Sequence, residues 1–194
     1  MAPLNFVDLI VDAAGNPLRL FHGTCRTFDR FSLEYLVSTG CHFGSIEQAD
    51  HFTNGKEGGR TIPVFLRSRR RIDIGNFDLG WRYPFQTIYM LRQVIDLGNF
   101  LFSDDDVRSL GSNPGWSLPQ AYLADVELIR NSGEMIDREC QRINRKIESL
   151  LRARGVDCLI YTNWQEPPDG VGRDAYLVLN PEQIISALTL EPLG

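Results

Sequence analysis

The sequence predicts an α+β fold. Two observations carry this: short strand-like segments gather near both ends of the chain, and the stretch between them places apolar residues at helical spacing. At 194 residues one domain (1–194) is expected. A chain of that size can hide roughly 70% of its unfolded surface. Its 43% hydrophobic and 23% charged residues exclude a disordered tail, a collagen-like rod and a coiled-coil rod. No apolar stretch approaches the ~20 residues a bilayer crossing needs. Met1 to Phe6 has no secretory signal pattern, so a cytoplasmic protein without a membrane partner is expected.

Phe6 to Val11 is apolar with β-branched members and ends in turn chemistry from Asp12 to Pro17. Leu18 to Phe21 alternates like a short strand and runs into His22-Gly23-Thr24. Phe28 and Phe31 flank a turn and are expected to cover core edges. Gly40 to Gly44 is a second extended piece bracketed by glycines. Ser45 and Gln48 match a capping box, which predicts a helix from Ile46 to about Thr53 with Ile46, Ala49 and Phe52 on one face. Asn54 to Arg60 reads as a loop. Thr61–Leu66 and Ile72–Ile74 are strand-like, separated by a knot of Arg67, Arg69, Arg70 and Arg71.

From Phe77 to Ser132 the pattern is helical and irregular, and 77–132 reads as a helical insertion. Gln86–Leu97 carries Ile88, Leu91 and Ile95 at helical spacing, and Leu118–Arg130 is a second helix. Asp104, Asp105 and Asp106 behind Ser103 suit a solvated helix start better than a metal site. Ile136–Arg154 is the clearest helix, with an apolar stripe through Cys140, Ile143, Ile147 and Leu151 and a closing Gly155. Val156–Tyr161 and Ala175–Leu179 are strands around a polar loop from Asn163 to Gly172. The four cysteines show no zinc-like spacing and read as reduced, mostly buried thiols, with no metal expected.

The net charge of −5 argues against a dedicated nucleic-acid binder, although the arginine knot and the basic residues of the late helix form local positive runs. No dinucleotide-fold glycine fingerprint, P-loop or Ser/His/Asp order is present. The three histidines fall within 30 positions, two of them beside glycine-marked strands. A strand ending at Gly23 can offer an unpaired N–H and C=O, and the missing Cβ lets a ligand come close. A planar carboxamide, donor and acceptor at once, could pair there as another strand would.

The string Gly15-Asn16-Pro17-Leu18-Arg19-Leu20-Phe21-His22-Gly23-Thr24, then Phe28 and Phe31, then Gly40-x-His42-Phe43-Gly44, resembles the ADP-ribosyltransferase superfamily. The branch is the one found in phage polyvalent and head-associated proteins and in bacterial toxins. Gly155 to Asn163 and Ala175 to Ala187 extend the resemblance in the same order. It implies a split β-sandwich with an NAD-binding cleft, the insertion shielding it, and a mono-ADP-ribosyltransferase that releases nicotinamide from NAD⁺. His22, Gly23 and Thr24 would bind NAD, His42 would stack on nicotinamide, and Phe43 and Phe52 would complete an apolar wall. Arg173 would meet the diphosphate, with Arg26 and Arg19 as competitors.

Where diphtheria-toxin-like relatives carry a catalytic Glu, this sequence has Ala175. That carboxylate stabilises the charged ribose, and losing such a contact costs ~10²- to 10³-fold in rate. Glu166 and Asp174 are the candidate replacements, with Glu166 favoured because a strand would aim Asp174 to the opposite face. Trp164 and Gln165 would meet the acceptor. The resemblance further implies a protein acceptor in preference to RNA and a toxin or effector role with a neutralising partner. Two other readings stand beside it: a catalytically degenerate binding module, and an RNA 2′-phosphotransferase-like enzyme.

Overall fold

The computed structural model describes residues 8–34, 36, 38–76, 83–164 and 170–194. In chain order the elements are β1 (Leu20–Thr24), β2 (Cys41–Phe43), α1 (Ile46–Thr53), β3 (Arg60–Leu66), β4 (Arg71–Asn76), α2 (Pro84–Gln93), β5 (Ile95–Asp96) and β6 (Asn99–Phe100). They continue with α3 (Asp104–Ser109), α4 (Leu118–Ser132), α5 (Ile136–Ala153), β7 (Cys158–Asn163), β8 (Arg173–Val178) and β9 (Ile184–Ser186). Mixed helices and sheets make the fold α+β. The chain divides into two compact units, one of Met1–Glu34, Gly40–Asn76 and Val156–Gly194, the other of Tyr35–Thr39 and Phe77–Gly155.

The first unit holds two sheets. One has the order β1-β3-β9 and is antiparallel throughout. The other has the order β2-β8-β7-β4, antiparallel except where β4 runs parallel to β7. Val64, Leu66, Cys158, Leu159, Leu177 and Val178 are all fully buried and fix the register of both sheets. Asp157, just ahead of β7, accepts from the Ser68 hydroxyl at 2.5 Å and from the N–H groups of Arg69 and Arg70 at 2.8 and 3.1 Å. The arginine knot is thus a turn gathered around one carboxylate.

Helix α1 carries both halves of the capping box between Ser45 and Gln48. Its apolar face is only partly covered. Gln48 and Ala49 are buried, whereas Ile46 and Phe52 are 45% and 44% exposed. Gln48 can go inside because its amide is satisfied: Oε1 accepts from the Ser45 N–H at 2.7 Å, and Nε2 donates to the Arg173 carbonyl at 3.4 Å.

In the second unit the predicted Gln86–Leu97 helix stops at Gln93. Residues 95–100 turn back as the β5–β6 hairpin, with Leu97 and Gly98 both at positive φ between the paired Asp96 and Asn99. The carboxylate of Asp125, on α4, caps α2 by accepting from the Phe85 and Gln86 N–H groups at 3.0 Å each. Ser103 caps α3 as the aspartate run suggested. Helix α5 buries Cys140, Ile143, Ile147 and Leu151, along with Asn144 and Glu148. Glu148 is paired with Arg145, which also donates to the Leu36 and Ser38 carbonyls. Among the described residues, no helix is long and apolar enough to cross a membrane.

Candidate functional site

The site begins with the backbone of β1. Phe21 exchanges both of its hydrogen bonds with Gly44, at 2.9 and 3.0 Å, so its N–H and C=O turn away from β3. Its cross-strand partner on β3 is Pro63, which has no N–H and sends its carbonyl to Ala187. Two residues on, Gly23 repeats the orientation of Phe21, and its N–H and C=O face the edge where β2 lies. A continued ladder would pair them with His42. Instead the His42 carbonyl accepts from Nδ1 of His22 at 2.9 Å, and β1 and β2 part after one bridge at Phe21 and Gly44. Gly23 keeps an adjacent donor and acceptor that no backbone group takes among the described residues.

A carbonyl can only accept, so Nδ1 of His22 carries the proton and Nε2 of the neutral ring is an acceptor. The ring lies 5.1 Å from Phe31 and 5.5 Å from Phe43, centroid to centroid. Burial pushes its pKa below the ordinary 6.5, the His42 carbonyl opposes the shift, and the charge of Arg60 adds to it. The ring is therefore neutral at pH 7.

Gly23 has a structural reason to lack a side chain. A Cβ there would overlap the backbone carbonyl of Ala49, so the side-chain direction is filled by α1. Thr24 turns its hydroxyl to accept from the Arg26 N–H at 3.1 Å, tightening the exit from β1. Beyond it, the Cys25 thiol donates to the Phe52 carbonyl at 3.6 Å, which sets exposed Phe52 beside the end of β1.

His42 and Phe43 alternate on β2. Phe43 is 2% exposed and supports His22 from below. His42 therefore projects to the other face, with Nδ1 3.1 Å from the Tyr161 hydroxyl on β7. The two histidines are joined through backbone, with their rings on opposite faces of β2. Cross-strand register puts Leu177, Ala175 and Arg173 of β8 on the His42 face and Asp174 on the Phe43 face. Ala175 is 2% exposed and sits opposite Tyr161.

Trp164 lies over Gly172, and its indole N–H donates to the Asn76 side chain at 3.1 Å. Glu166 and Gln165 lie outside the described residues. Arg19 and Arg26 are exposed on either side of β1. Among the described residues, no cluster of three His, Cys, Asp or Glu side chains could hold a metal ion.

Two neighbours of His22 and His42 escaped the sequence reading. Tyr161 looked like one more apolar strand position. Arg60, in a stretch whose composition predicts a loop, opens β3 opposite Thr24 and lies on the His22 face. Only the register of non-local strands brings either residue to the site.

One comparison with known proteins gives a match. The family described as ADP-ribosyltransferase in polyvalent proteins matches residues 12–192. No curated protein and no solved structure matches the chain.

Proposed function

Because the chain belongs to the family of ADP-ribosyltransferases in polyvalent proteins, we propose that it is a mono-ADP-ribosyltransferase acting on NAD⁺ within a split β-sandwich. The observation that carries this reading is the N–H and C=O of Gly23, which no backbone group pairs among the described residues, beside a carbonyl already taken by His22. The nicotinamide carboxamide presents the complementary C=O and N–H and binds there as a short added strand. His22, neutral and held through Nδ1, offers Nε2 to a ribose hydroxyl. Thr24 holds the turn that ends the strand.

His42, steadied by Tyr161, stacks on the pyridinium, Phe52 closes the outer wall and Phe43 supports His22 from within. Arg173 meets the diphosphate. The reaction breaks the bond between the nicotinamide nitrogen and ribose C1′, and the bonding pair leaves with nicotinamide. A nucleophile on a macromolecule then bonds C1′ and releases its proton. Positive charge gathers on the ribose in between, and Glu166 or Asp174 supplies the carboxylate that stabilises it.

The acceptor is a protein in preference to RNA, given the acidic chain. Residues 1–194 act as one transferase domain with 77–132 as its helical insertion. The biological role is that of a phage-related toxin or effector, with a neutralising partner that spares the producing cell.

Labelled NAD⁺, with cell lysate as the acceptor source, tests the reading. Nicotinamide release together with labelled protein is expected, diminished by Glu166→Ala or Asp174→Ala. Release without labelled macromolecule would indicate NAD⁺ hydrolysis alone. Buried Ala175 at the family's carboxylate position favours a second reading, a binding module that holds NAD⁺ and does not cleave it. Binding without any release of nicotinamide would decide for that module.

A further inference from the structure

Arg60 is a cation with no carboxylate partner among the described residues. It pairs across the ladder with Thr24 and stands on the face that carries His22. Its guanidinium lies 5.0 Å from the Phe28 ring centroid and donates through Nη2 to the Phe28 carbonyl at 3.0 Å. Its Nε is buried with no hydrogen-bond partner. No carboxylate forms an ion pair with it among the described residues, although Arg69, Arg92, Arg108, Arg142, Arg145 and Arg154 each have one. A half-buried guanidinium loses hydration, and the Phe28 carbonyl and ring return only part of that loss without a counter-charge. Such an arrangement suits an anion that arrives from outside the chain.

The neighbouring groups narrow the class of that anion. His22 presents a neutral acceptor, Nε2, on the same face, and Phe28 stands between the two, with its ring 6.3 Å from that of His22. A ligand that carries both a hydroxyl donor and a phosphate matches this acceptor and this cation together. A phosphorylated ribose carries both. Arg60 has the right chemistry for the phosphate, because its planar fork can donate two parallel hydrogen bonds. Its charge also helps to keep His22 neutral, and hence an acceptor.

We propose that His22 and Arg60 form one recognition pair for a phosphoribosyl group, the hydroxyl donating to His22 and the phosphate bound by Arg60. This deepens the NAD⁺ reading and rests on it for the identity of the substrate. It makes Arg60 a binding residue that discriminates nucleotides from nucleosides and from free nicotinamide.

The test titrates ADP-ribose, ribose 5-phosphate and nicotinamide separately into wild type, Arg60→Gln and Arg60→Lys, with thermal unfolding as the folding check. Glutamine removes the charge and keeps a polar amide, and lysine keeps the charge without the fork. ADP-ribose and ribose 5-phosphate are expected to bind about 10- to 100-fold more weakly to Arg60→Gln, the loss typical of one charge-assisted hydrogen-bonding group. Arg60→Lys should fall between, and nicotinamide should bind all three alike. Equal affinity of folded Arg60→Gln and wild type for ADP-ribose would overturn the pair, as would wild type that binds neither phosphate ligand. The parent reading fails separately. Should wild type bind ADP-ribose through Arg60 yet never release nicotinamide from NAD⁺, the transferase assignment falls and the pair stands. Unchanged KM for NAD⁺ in an active Arg60→Gln enzyme would remove the pair and leave the transferase.

Discussion

Nδ1 of His22 occupies the carbonyl of His42 that the N–H of Gly23 would take if β1 and β2 ran on as a ladder. One imidazole thereby keeps a strand edge open. His22→Ala is expected to let the two strands pair one step further, joining Gly23 to His42. Hydrogen exchange at the Gly23 amide should slow, while NAD⁺ cleavage falls by at least ~10²-fold, the scale of one lost transition-state contact. Faster or unchanged exchange at Gly23 would show that His22 does not hold the strands apart.

Gly23→Ala places a methyl group against the main-chain oxygen of Ala49. Stability should drop by about 1–3 kcal/mol, the usual range for overpacking, read from urea unfolding. Because the obstacle is backbone, Ala49→Gly should not rescue it. Rescue would place the conflict in the side chain instead.

Burial holds the folded pKa of His22 below its ordinary value of 6.5. The unfolded chain therefore takes up a proton first as the solution is acidified. The stability tied to neutral His22 is complete above pH 6.5, declines as pH falls from 6.5 to the folded pKa, and is level below that. The gap in melting temperature between wild type and His22→Asn should narrow across this window. A gap that is constant from pH 8 to pH 5 would refute the assignment.

Of the four cysteines, Cys25 is exposed and Cys41, Cys140 and Cys158 are buried. Burial raises the Cys158 thiol to about 12, from an ordinary 9.0, helped by the nearby charge of Asp157. A colorimetric thiol reagent at pH 8 should titrate one group per native chain and four in denaturant. Stability should also decline as pH rises from 9 toward 12, where the unfolded thiol ionises and the folded one resists. Two or more fast-reacting native thiols would contradict the burial.

Local chemistry was legible in the letters. Ser45 and Gln48 announce α1, Gly155 ends α5 at positive φ, and Ser103 with its aspartates marks α3. Each involves groups within one helical turn of one another. Long-range consequences were hidden. The burial of Gln48 depends on Arg173, 125 residues away, which supplies its partner. Ile184–Ser186 becomes a strand only by pairing with Val64–Leu66, far away in the chain. The Leu97-Gly98 turn lacked the usual Asn or Asp, so α2 ran too long in the reading. At the site, His22 and Gly23 were visible as a strand end beside glycine. Arg60 and Tyr161 depend on which strands become neighbours, and neither periodicity nor spacing encodes that.

Parallel pairing of β4 with β7 makes an order of events unavoidable. Ser68 and Asp157, which fasten the start of that pair, are 89 positions apart in the chain. A growing polypeptide cannot supply β4 with its neighbour until every helix from α2 to α5 has been synthesised. The short-range turns of those helices can form within microseconds, whereas closing so long a loop sacrifices entropy before any contact rewards it. Refolding should thus show early helix signal and a later, slower sheet phase. The β2–β8 edge, which belongs to that sheet and carries His42 beside the proposed NAD⁺ site, would be among the last features to mature.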